Sequence, residues 1–195
     1  MRRYFKKPGK LRAEEFINRF TMIVGEINSG KTTLTRQILE VFCKATGSMV
    51  TVVDLAPEIT PQDLEVQNKT TAIGGALQIP DSERVRYYHP RIHPPRLRAR
   101  DESEAEALAA ENLRTIDALL DKTLLKDTDA IFINDCSLYL HSGSASKLLD
   151  LIHSCPTSVV NGYFGRFFSN SSISIRERSG MIFLIRHCDR LIKIS

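Results

Sequence analysis

Short, uniformly apolar runs recur along the chain and predict buried strands. Six of them stand out, at residues 20–24, 49–55, 130–133, 158–160, 181–185 and 191–194. Each run is short and most are rich in β-branched side chains, which favours a strand over a helix. Because apolar and polar residues do not alternate within them, the runs are typical of a sheet that is covered on both faces.

Between these runs, apolar residues recur at the three- and four-residue spacing of amphipathic helices. The first predicted helix carries Leu34 and Ile38 on one face and stops at Gly47. A second opens at Asp101, whose side chain can cap it, and a third spans about 144–153. Strands that alternate with helices predict an α/β fold, a three-layer sandwich around a mostly parallel central sheet.

The length of 195 residues fits one domain with a full hydrophobic core. We expect a basic N-terminal arm at 1–17 and a single domain at 18–195. Residues 56–100 hold six of the eight prolines and no sustained periodicity. They predict a long irregular insertion, and loops of that length are usually functional or mobile.

Two segments concentrate the positive charge. Residues 1–12 and 84–100 each carry six basic residues and no acid, against a net charge of only +4 for the whole chain. The second segment interleaves arginines with Tyr87, Tyr88, His89 and His93, whose rings could stack on bases. RNA or another nucleic acid is therefore a candidate partner. The alternative is that these arginines neutralise the acidic helix that follows them, or serve a nucleotide's own phosphates.

One motif carries specific chemistry. Residues 25–32 read Gly-Glu-Ile-Asn-Ser-Gly-Lys-Thr and match G-x-x-x-x-G-K-[ST] at every fixed position, between a predicted strand and a predicted helix. Such a loop turns backbone N–H groups and a helix N-terminus toward a phosphate. We predict that it binds a nucleotide through Gly25, Glu26, Ile27, Asn28, Ser29, Gly30, Lys31, Thr32 and Thr33. Lys31 would contact the β- and γ-phosphates and act in catalysis.

Two carboxylates follow predicted strands, where ligands bind in doubly wound sheets. Asp135 is the candidate to hold Mg²⁺ through water, with the Thr32 hydroxyl as the other protein ligand. Asp54 is the candidate to orient an attacking water or hydroxyl. For each acid the alternative is a structural cap on the turn that follows it.

The loop and its flanking elements resemble the P-loop NTPase superfamily. The string from Asn28 to Leu34 is similar to the loop of the molybdopterin-guanine dinucleotide biosynthesis adaptor GTPases. An acid at the position of Asp54 is similar to that of the RNA-processing polynucleotide 5′-kinases, in which the corresponding acid serves the acceptor hydroxyl. Both families belong to the branch that includes the signal-recognition and MinD-type ATPases. The resemblance covers residues 18–55 and 128–136.

The resemblance implies an enzyme that uses Mg²⁺ with ATP or GTP. After the run at 181–185 the chain has Arg186 to Asp189 in place of the guanine-reading N-K-x-D, so Asp189 alone could accept from guanine and ATP is slightly favoured. We expect hydrolysis of the triphosphate. The alternatives are a kinase that passes the γ-phosphate to a nucleotide or polynucleotide 5′-hydroxyl, and a regulatory module whose nucleotide state changes its contacts.

The lengths of the apolar runs, the N-terminal sequence and the cysteine spacing argue against a membrane, secreted or disulfide-bonded protein. The longest apolar runs are far shorter than the about 20 residues of a bilayer span, and the basic N-terminus lacks the apolar stretch of a secretory signal. We therefore expect a cytoplasmic protein without a membrane partner. Four widely spaced cysteines without a C-x-x-C pair predict reduced thiols and no structural metal. The sequence does not indicate an oligomeric state.

Overall fold

Seven strands form one sheet, and every neighbouring pair in it runs parallel. The computed structural model describes residues 4–5, 11–59, 75–120, 125–168 and 171–194, with only the backbone of 4–5. The strands are β1 (Tyr4–Phe5), β2 (Phe20–Gly25), β3 (Val50–Asp54), β4 (Val85–Tyr88), β5 (Ala130–Asn134), β6 (Thr157–Tyr163) and β7 (Arg190–Ile194). Their order across the sheet is β1-β7-β2-β6-β5-β3-β4.

Helices cover both faces of this sheet. They are α1 (Lys31–Ala45), α2 (Pro95–Arg98), α3 (Glu102–Leu119), α4 (Ser137–Leu140), α5 (Ala145–His153) and α6 (Ser172–His187), with a 3₁₀ turn at Ala13–Glu15. Helix α3 is capped by the Asp101 side chain, which accepts a hydrogen bond from the Glu104 N–H as the sequence predicts. The predicted α/β three-layer fold with a parallel central sheet is confirmed.

The two faces of the sheet bury separate apolar cores. Ile23, Val52 and Phe132 point to one side, where they pack with Leu34 and Ile38 of α1. The intervening positions of the same strands point to the other side and pack against α3, α4, α5 and α6. Every residue of β2, β3 and β5 is buried. Burial on both faces explains why these strands are uniformly apolar, and each fully buried Ile, Leu or Val contributes roughly 1.5–3 kcal/mol.

The run at 181–185 is a helical segment, so its assignment to a strand is wrong. It lies inside α6, where Met181 and Leu184 are buried against the core. The pattern misled because five consecutive apolar residues suit a strand or a well-buried helix equally. Ile173, Met181 and Leu184 lie on one face at helical spacing, and this longer period governs the segment.

The segment 56–100 is more regular than predicted. Strand β4 pairs in parallel with β3 at the edge of the sheet, and α2 follows it. Its residues Val85–Tyr88 are only half buried, and the arginine among them masks the strand pattern. Residues 60–74 of the insertion lie outside the described residues. The proposed arm at 1–17 is also partly core, since Phe16 is fully buried and residues Tyr4–Phe5 pair with β7.

Strand β6 separates β2 from β5, and this order positions the site. The carboxyl ends of β2, β6 and β5 meet at one edge of the sheet, followed by the loop at 25–30, Phe164 and Asp135 respectively. In open parallel sheets this edge is where ligands bind. None of the helices in the part of the chain that the structure describes has the length and apolarity of a membrane span.

Candidate functional site

The loop between β2 and α1 has the backbone shape of a phosphate-binding loop. Gly30 is left-handed at φ 92° and is the N-cap of α1, with no side chain capping the helix. Asn28 is also left-handed, at φ 56°. Uncapped N–H groups at the start of α1 therefore face the adjacent cleft, and with the helix dipole they form an anion site.

Gly25 is required by a close approach of β7. A Cβ atom at this position would lie 2.4 Å from the Ile194 carbonyl oxygen and 2.7 Å from Ser29 Oγ. Since the first of these neighbours is backbone in a strand pair, β2 and β7 would have to separate. The glycine thus fixes where the loop leaves the sheet.

Gly25→Ala is expected to lower the free energy of unfolding by about 1–3 kcal/mol, the usual cost of overpacking. Gly75→Ala is the matched control, because a Cβ there meets nothing within 4 Å. Urea unfolding of the two variants measures the difference. Equal stabilities would show that β7 does not restrict this position.

The Lys31 ammonium lies within its own loop and is influenced by nearby carboxylates. Its Nζ donates a hydrogen bond to the Glu26 carbonyl oxygen at 2.5 Å, so the side chain spans its own loop. Burial lowers the pKa of Lys31, against the opposing charges of Asp135, Glu26 and Glu177. A half-buried cation in the phosphate-binding loop is well placed to bind an anion once the loop carbonyl releases it.

Gly25 and Glu26 do not line the cleft, and they shape the loop through their backbone. The Glu26 carboxylate points to the β6–α6 connection, where its Oε1 accepts a hydrogen bond from the Arg166 N–H at 2.6 Å. Seven of the predicted loop residues line a cleft of about 400 Å³. They are Ile27, Asn28, Ser29, Gly30, Lys31, Thr32 and Thr33. The structure therefore brings together seven of the nine predicted loop residues on one cleft.

Thr32 and Asp135 lie on the same cleft. The Thr32 hydroxyl donates to Asn134 Oδ1 at 3.2 Å, which places it beside the end of β5. Asp135 follows directly in the left-handed conformation at φ 56°, an uncommon state that concentrates at functional sites. Its Oδ1 accepts a hydrogen bond from Ser137 Oγ at 2.7 Å.

These residues fit a magnesium ion. Burial raises the pKa of Asp135, although the Ser137 hydrogen bond and the Lys31 charge oppose this. The carboxylate is thus short of positive charge, which a divalent cation would supply. A hydroxyl and a carboxylate are the hard oxygen ligands that Mg²⁺ prefers, with waters and phosphate completing its shell.

Two buried asparagines lock the strand ends around the cleft. Asn161 Nδ2 donates to Asn134 Oδ1 at 2.7 Å and to Thr35 Oγ1 at 2.8 Å. Its Oδ1 accepts from the Asp135 N–H at 3.0 Å, holding the left-handed residue in place. The network ties β5, β6 and α1 together, so the loop, Thr32 and Asp135 are held in one rigid frame.

Asp54 does not face the cleft and is fully buried. Its carboxylate accepts hydrogen bonds from the backbone N–H of Ala56 and Leu77 at 3.0 and 2.5 Å. The Asn134 side-chain amide and the Tyr87 hydroxyl donate to it at 2.7 and 2.9 Å. Burial and the neighbouring Asp54 charge raise the pKa of Tyr87, which keeps that hydroxyl a donor. These contacts favour the structural-cap alternative over a role in orienting a nucleophile.

Asp54→Asn is expected to lower the free energy of unfolding by about 3 kcal/mol, since an amide cannot accept all four hydrogen bonds. For a chain of this size, that lowers Tm by about 6–12 °C. Tyr87→Phe removes only one donor and should cost less. Thermal unfolding distinguishes the roles, because an orienting acid would leave Tm unchanged and abolish turnover.

The basic segment at 84–100 is largely occupied within the protein. Arg86 donates to the Lys126 carbonyl oxygen at 2.7 Å and to Thr128 Oγ1 at 2.6 Å. Arg100 pairs with Glu104 at 3.0 Å, and Arg98 contacts His93 Nδ1 at 2.8 Å. Of these three arginines, only Arg100 neutralises the acidic helix α3, and nucleic-acid binding stays a prediction. Residues 1–3 and 6–10 of the first basic segment lie outside the described residues.

Asp189 cannot reach a base bound near the loop. It precedes β7 at the amino end of the sheet, and its Oδ2 accepts a hydrogen bond from the Phe20 N–H at 2.8 Å. The cleft lies at the opposite, carboxyl edge of the same parallel strands. The interpretation of Asp189 as a guanine acceptor is therefore wrong.

Three further ionisable side chains line the cleft: Arg96 of α2, His141 after α4 and Glu177 of α6. Arg96 belongs to the basic segment 84–100, whose arginines have phosphate contact among their predicted alternatives, whereas no sequence motif marks His141 or Glu177. Glu177 is 3% exposed and lies on the buried face of α6 with Ile173 and Met181, four residues to either side. The sequence signal for Glu177 is a charged residue among apolar residues on one face of a helix. Assigning residues 181–185 to a strand hides this signal, because the helical face is then not recognised.

No model of a known protein family matches the chain, and no curated protein matches it in sequence. Among solved structures, the fold is similar to that of the flagellar accessory protein FlaH from Methanocaldococcus jannaschii. The similarity has a TM-score of 0.49 and 13% sequence identity, and covers 91% of this chain and 71% of that chain. A likeness at this level carries no functional argument, and the chemistry of the cleft has to be argued from its own geometry.

Proposed function

We propose that this protein binds a nucleoside triphosphate together with Mg²⁺ and hydrolyses it. The observation that carries this proposal is the convergence of four features on one cleft: the left-handed Gly30, the uncapped start of α1, Lys31, and the two oxygen-bearing side chains of Thr32 and Asp135. The first three features suit phosphate groups, and the two side chains of the fourth suit a divalent cation. Together they specify a polyphosphate with a bound divalent cation rather than a simple anion.

The polyphosphate would bind along the loop. Backbone N–H groups of the loop and of the first turn of α1 donate to the β-phosphate, and Lys31 contacts the β- and γ-phosphates. Thr32 and Asp135 would hold Mg²⁺, which neutralises charge on the leaving oxygens. The asparagine network keeps these groups fixed during turnover, so little reorganisation accompanies the reaction.

The saturation of Asp54 removes a specific support of the kinase alternative, and hydrolysis loses the same acid as a candidate to orient water. The kinase alternative depended on that acid to orient an acceptor hydroxyl, and its four hydrogen bonds leave little capacity for one. The regulatory alternative differs only in a negligible rate of turnover. ATP is proposed ahead of GTP because no guanine-reading group is found at Asp189.

Phosphate release in the presence of Mg²⁺ tests the proposal. Purified protein with ATP, and separately with GTP, should release phosphate, and EDTA should abolish the release. Tight binding of nucleotide without phosphate release would favour the regulatory alternative instead. The proposal is refuted if the protein neither binds nor hydrolyses ATP or GTP.

A further inference from the structure

Arg96 and Glu177 form a nearly buried ion pair in the wall of the cleft. Arg96 Nη2 lies 2.6 Å from Glu177 Oε2, and Nη1 lies 3.3 Å from Oε1. The two side chains are 12% and 4% exposed. The guanidinium also lies over the Phe168 ring, 4.3 Å from its centroid. Removing either partner would leave the other charge nearly buried and without compensation.

His141 completes the cluster with unused hydrogen-bonding capacity. Its side chain is 2% exposed and lines the cleft, and its Nε2 lies 3.5 Å from Glu177 Oε1. Within the described residues, Nδ1 has no hydrogen-bond partner, and Nε2 has only this long approach to Glu177 Oε1. Since buried polar groups normally find partners, a bound water or ligand group in the cleft is expected to supply them.

The cluster faces the groups that would hold the triphosphate. Glu177 and Asp135 each lie close enough to Lys31 for their charges to act on its ammonium. The loop residues line the same cleft as Arg96, His141 and Glu177. A γ-phosphate bound at Lys31 would therefore share this cleft with the Arg96–Glu177 pair.

We propose that Glu177 accepts the proton of the water that attacks the γ-phosphate, and that Arg96 exchanges its ion pair with Glu177 for the γ-phosphate when a triphosphate binds. This inference rests on the proposed function. A bond forms between the water oxygen and the γ-phosphorus, and the bond to the β–γ bridging oxygen breaks. That electron pair leaves on the nucleoside diphosphate, the water proton passes to the Glu177 carboxylate, and solvent later removes it.

The movement of Arg96 from Glu177 to the γ-phosphate would link triphosphate binding to the basicity of the Glu177 carboxylate. Burial alone would raise the pKa of Glu177, but the facing His141 and Arg96 outweigh it and hold that pKa below its ordinary value. When Arg96 moves to the phosphate, burial acts with less opposition and the carboxylate becomes a stronger base. The planar guanidinium of Arg96 can donate two hydrogen bonds to the γ-phosphate oxygens. A nucleoside diphosphate lacks this phosphate, so Arg96 would stay paired with Glu177.

Glu177→Gln tests the first half of the proposal, because it keeps the shape of the side chain and removes the base. Single-turnover hydrolysis should fall at least about 100-fold, the usual contribution of a general base. ADP affinity should change little, and Tm should fall because the Arg96 guanidinium loses its nearly buried partner. Glu106→Gln is the matched control, since Glu106 pairs with Arg176 of the same helix α6 at 2.5 Å but lies outside the cleft. It should hydrolyse as the wild type does.

Arg96→Lys tests the second half and keeps the positive charge. It should reduce the preference for ATP over ADP about tenfold or more while leaving ADP affinity unchanged. Glu177→Asp retains the carboxylate on a shorter side chain and should hydrolyse faster than Glu177→Gln but more slowly than the wild type. If Glu177→Gln does not fold, a lower rate in Glu177→Asp with unchanged ADP affinity supports the base, and a wild-type rate contradicts it.

Wild-type hydrolysis in Glu177→Gln would overturn the proposal. So would a loss of ADP affinity as large in fold-change as the loss of hydrolysis, which would mark the pair as structural. In either case the proposed function survives if Lys31→Ala remains unable to bind ATP. A wild-type protein that binds no triphosphate would instead refute the proposed function itself.

Discussion

Lys31→Ala is expected to weaken ATP binding at least about 100-fold and to abolish hydrolysis. The ammonium would make two charge-assisted hydrogen bonds to the β- and γ-phosphates, and each contributes about 1.5–3 kcal/mol. A loss of 1.4 kcal/mol corresponds to a factor of ten in affinity. Fold stability should change little, because the side chain spans only its own loop through the Glu26 carbonyl. Titration calorimetry with Mg–ATP measures the affinity.

The control for this variant lies on the same helix. Lys44→Ala makes the same substitution in the last turn of α1, where the side chain is exposed and far from the cleft. It should bind Mg–ATP with wild-type affinity and lose only a few tenths of a kcal/mol of stability. If Lys31→Ala bound Mg–ATP as tightly as Lys44→Ala, the loop would not be the triphosphate site.

Asp135→Asn is expected to lower hydrolysis at least about 100-fold and to remove most of the dependence of binding on Mg²⁺. The amide retains the size of the side chain and tolerates the left-handed backbone, but it lacks the charge that holds the cation. Because burial raises the pKa of Asp135, ionising this carboxylate in the folded protein is unfavourable. Removing the charge should therefore leave Tm unchanged or raise it.

Asp127→Asn is the matched control, since Asp127 is also left-handed at φ 57° but is exposed at the amino end of β5. It should behave as the wild type in stability, binding and turnover. Titrations of ATP at several Mg²⁺ concentrations, with thermal unfolding, compare the two variants. A lower Tm with retained Mg²⁺ dependence in Asp135→Asn would contradict a metal-binding role and mark the acid as structural.

The parts of the site that could be predicted from the sequence are those fixed by local backbone chemistry. The loop needs glycine where β7 approaches Gly25 and where Gly30 turns left-handed, and a lysine and a hydroxyl must follow directly. Such requirements are contiguous in sequence, so a motif records them. The central strands were equally clear, because burial on both faces leaves few choices besides apolar residues.

The parts that could not be predicted depend on contacts between distant segments. Asp54 looked like a ligand-binding acid, and only the packing of Leu77 and Tyr87 around it reveals a saturated structural group. Arg96 and Glu177 lie 81 positions apart, so no local pattern links them. The order of strands, with β6 between β2 and β5, places Asn161 next to Asp135 and has no local signal either.

The fate of the γ-phosphate shows most directly whether the loop at 25–32 hydrolyses a triphosphate. The protein is incubated with Mg²⁺ and γ-labelled ATP, and separately GTP, with and without a 5′-hydroxyl RNA oligonucleotide. We predict that the label appears as free phosphate, with or without the RNA, and that Lys31→Ala abolishes its release. Label on the oligonucleotide, or phosphate release that persists in Lys31→Ala, would contradict hydrolysis at this loop.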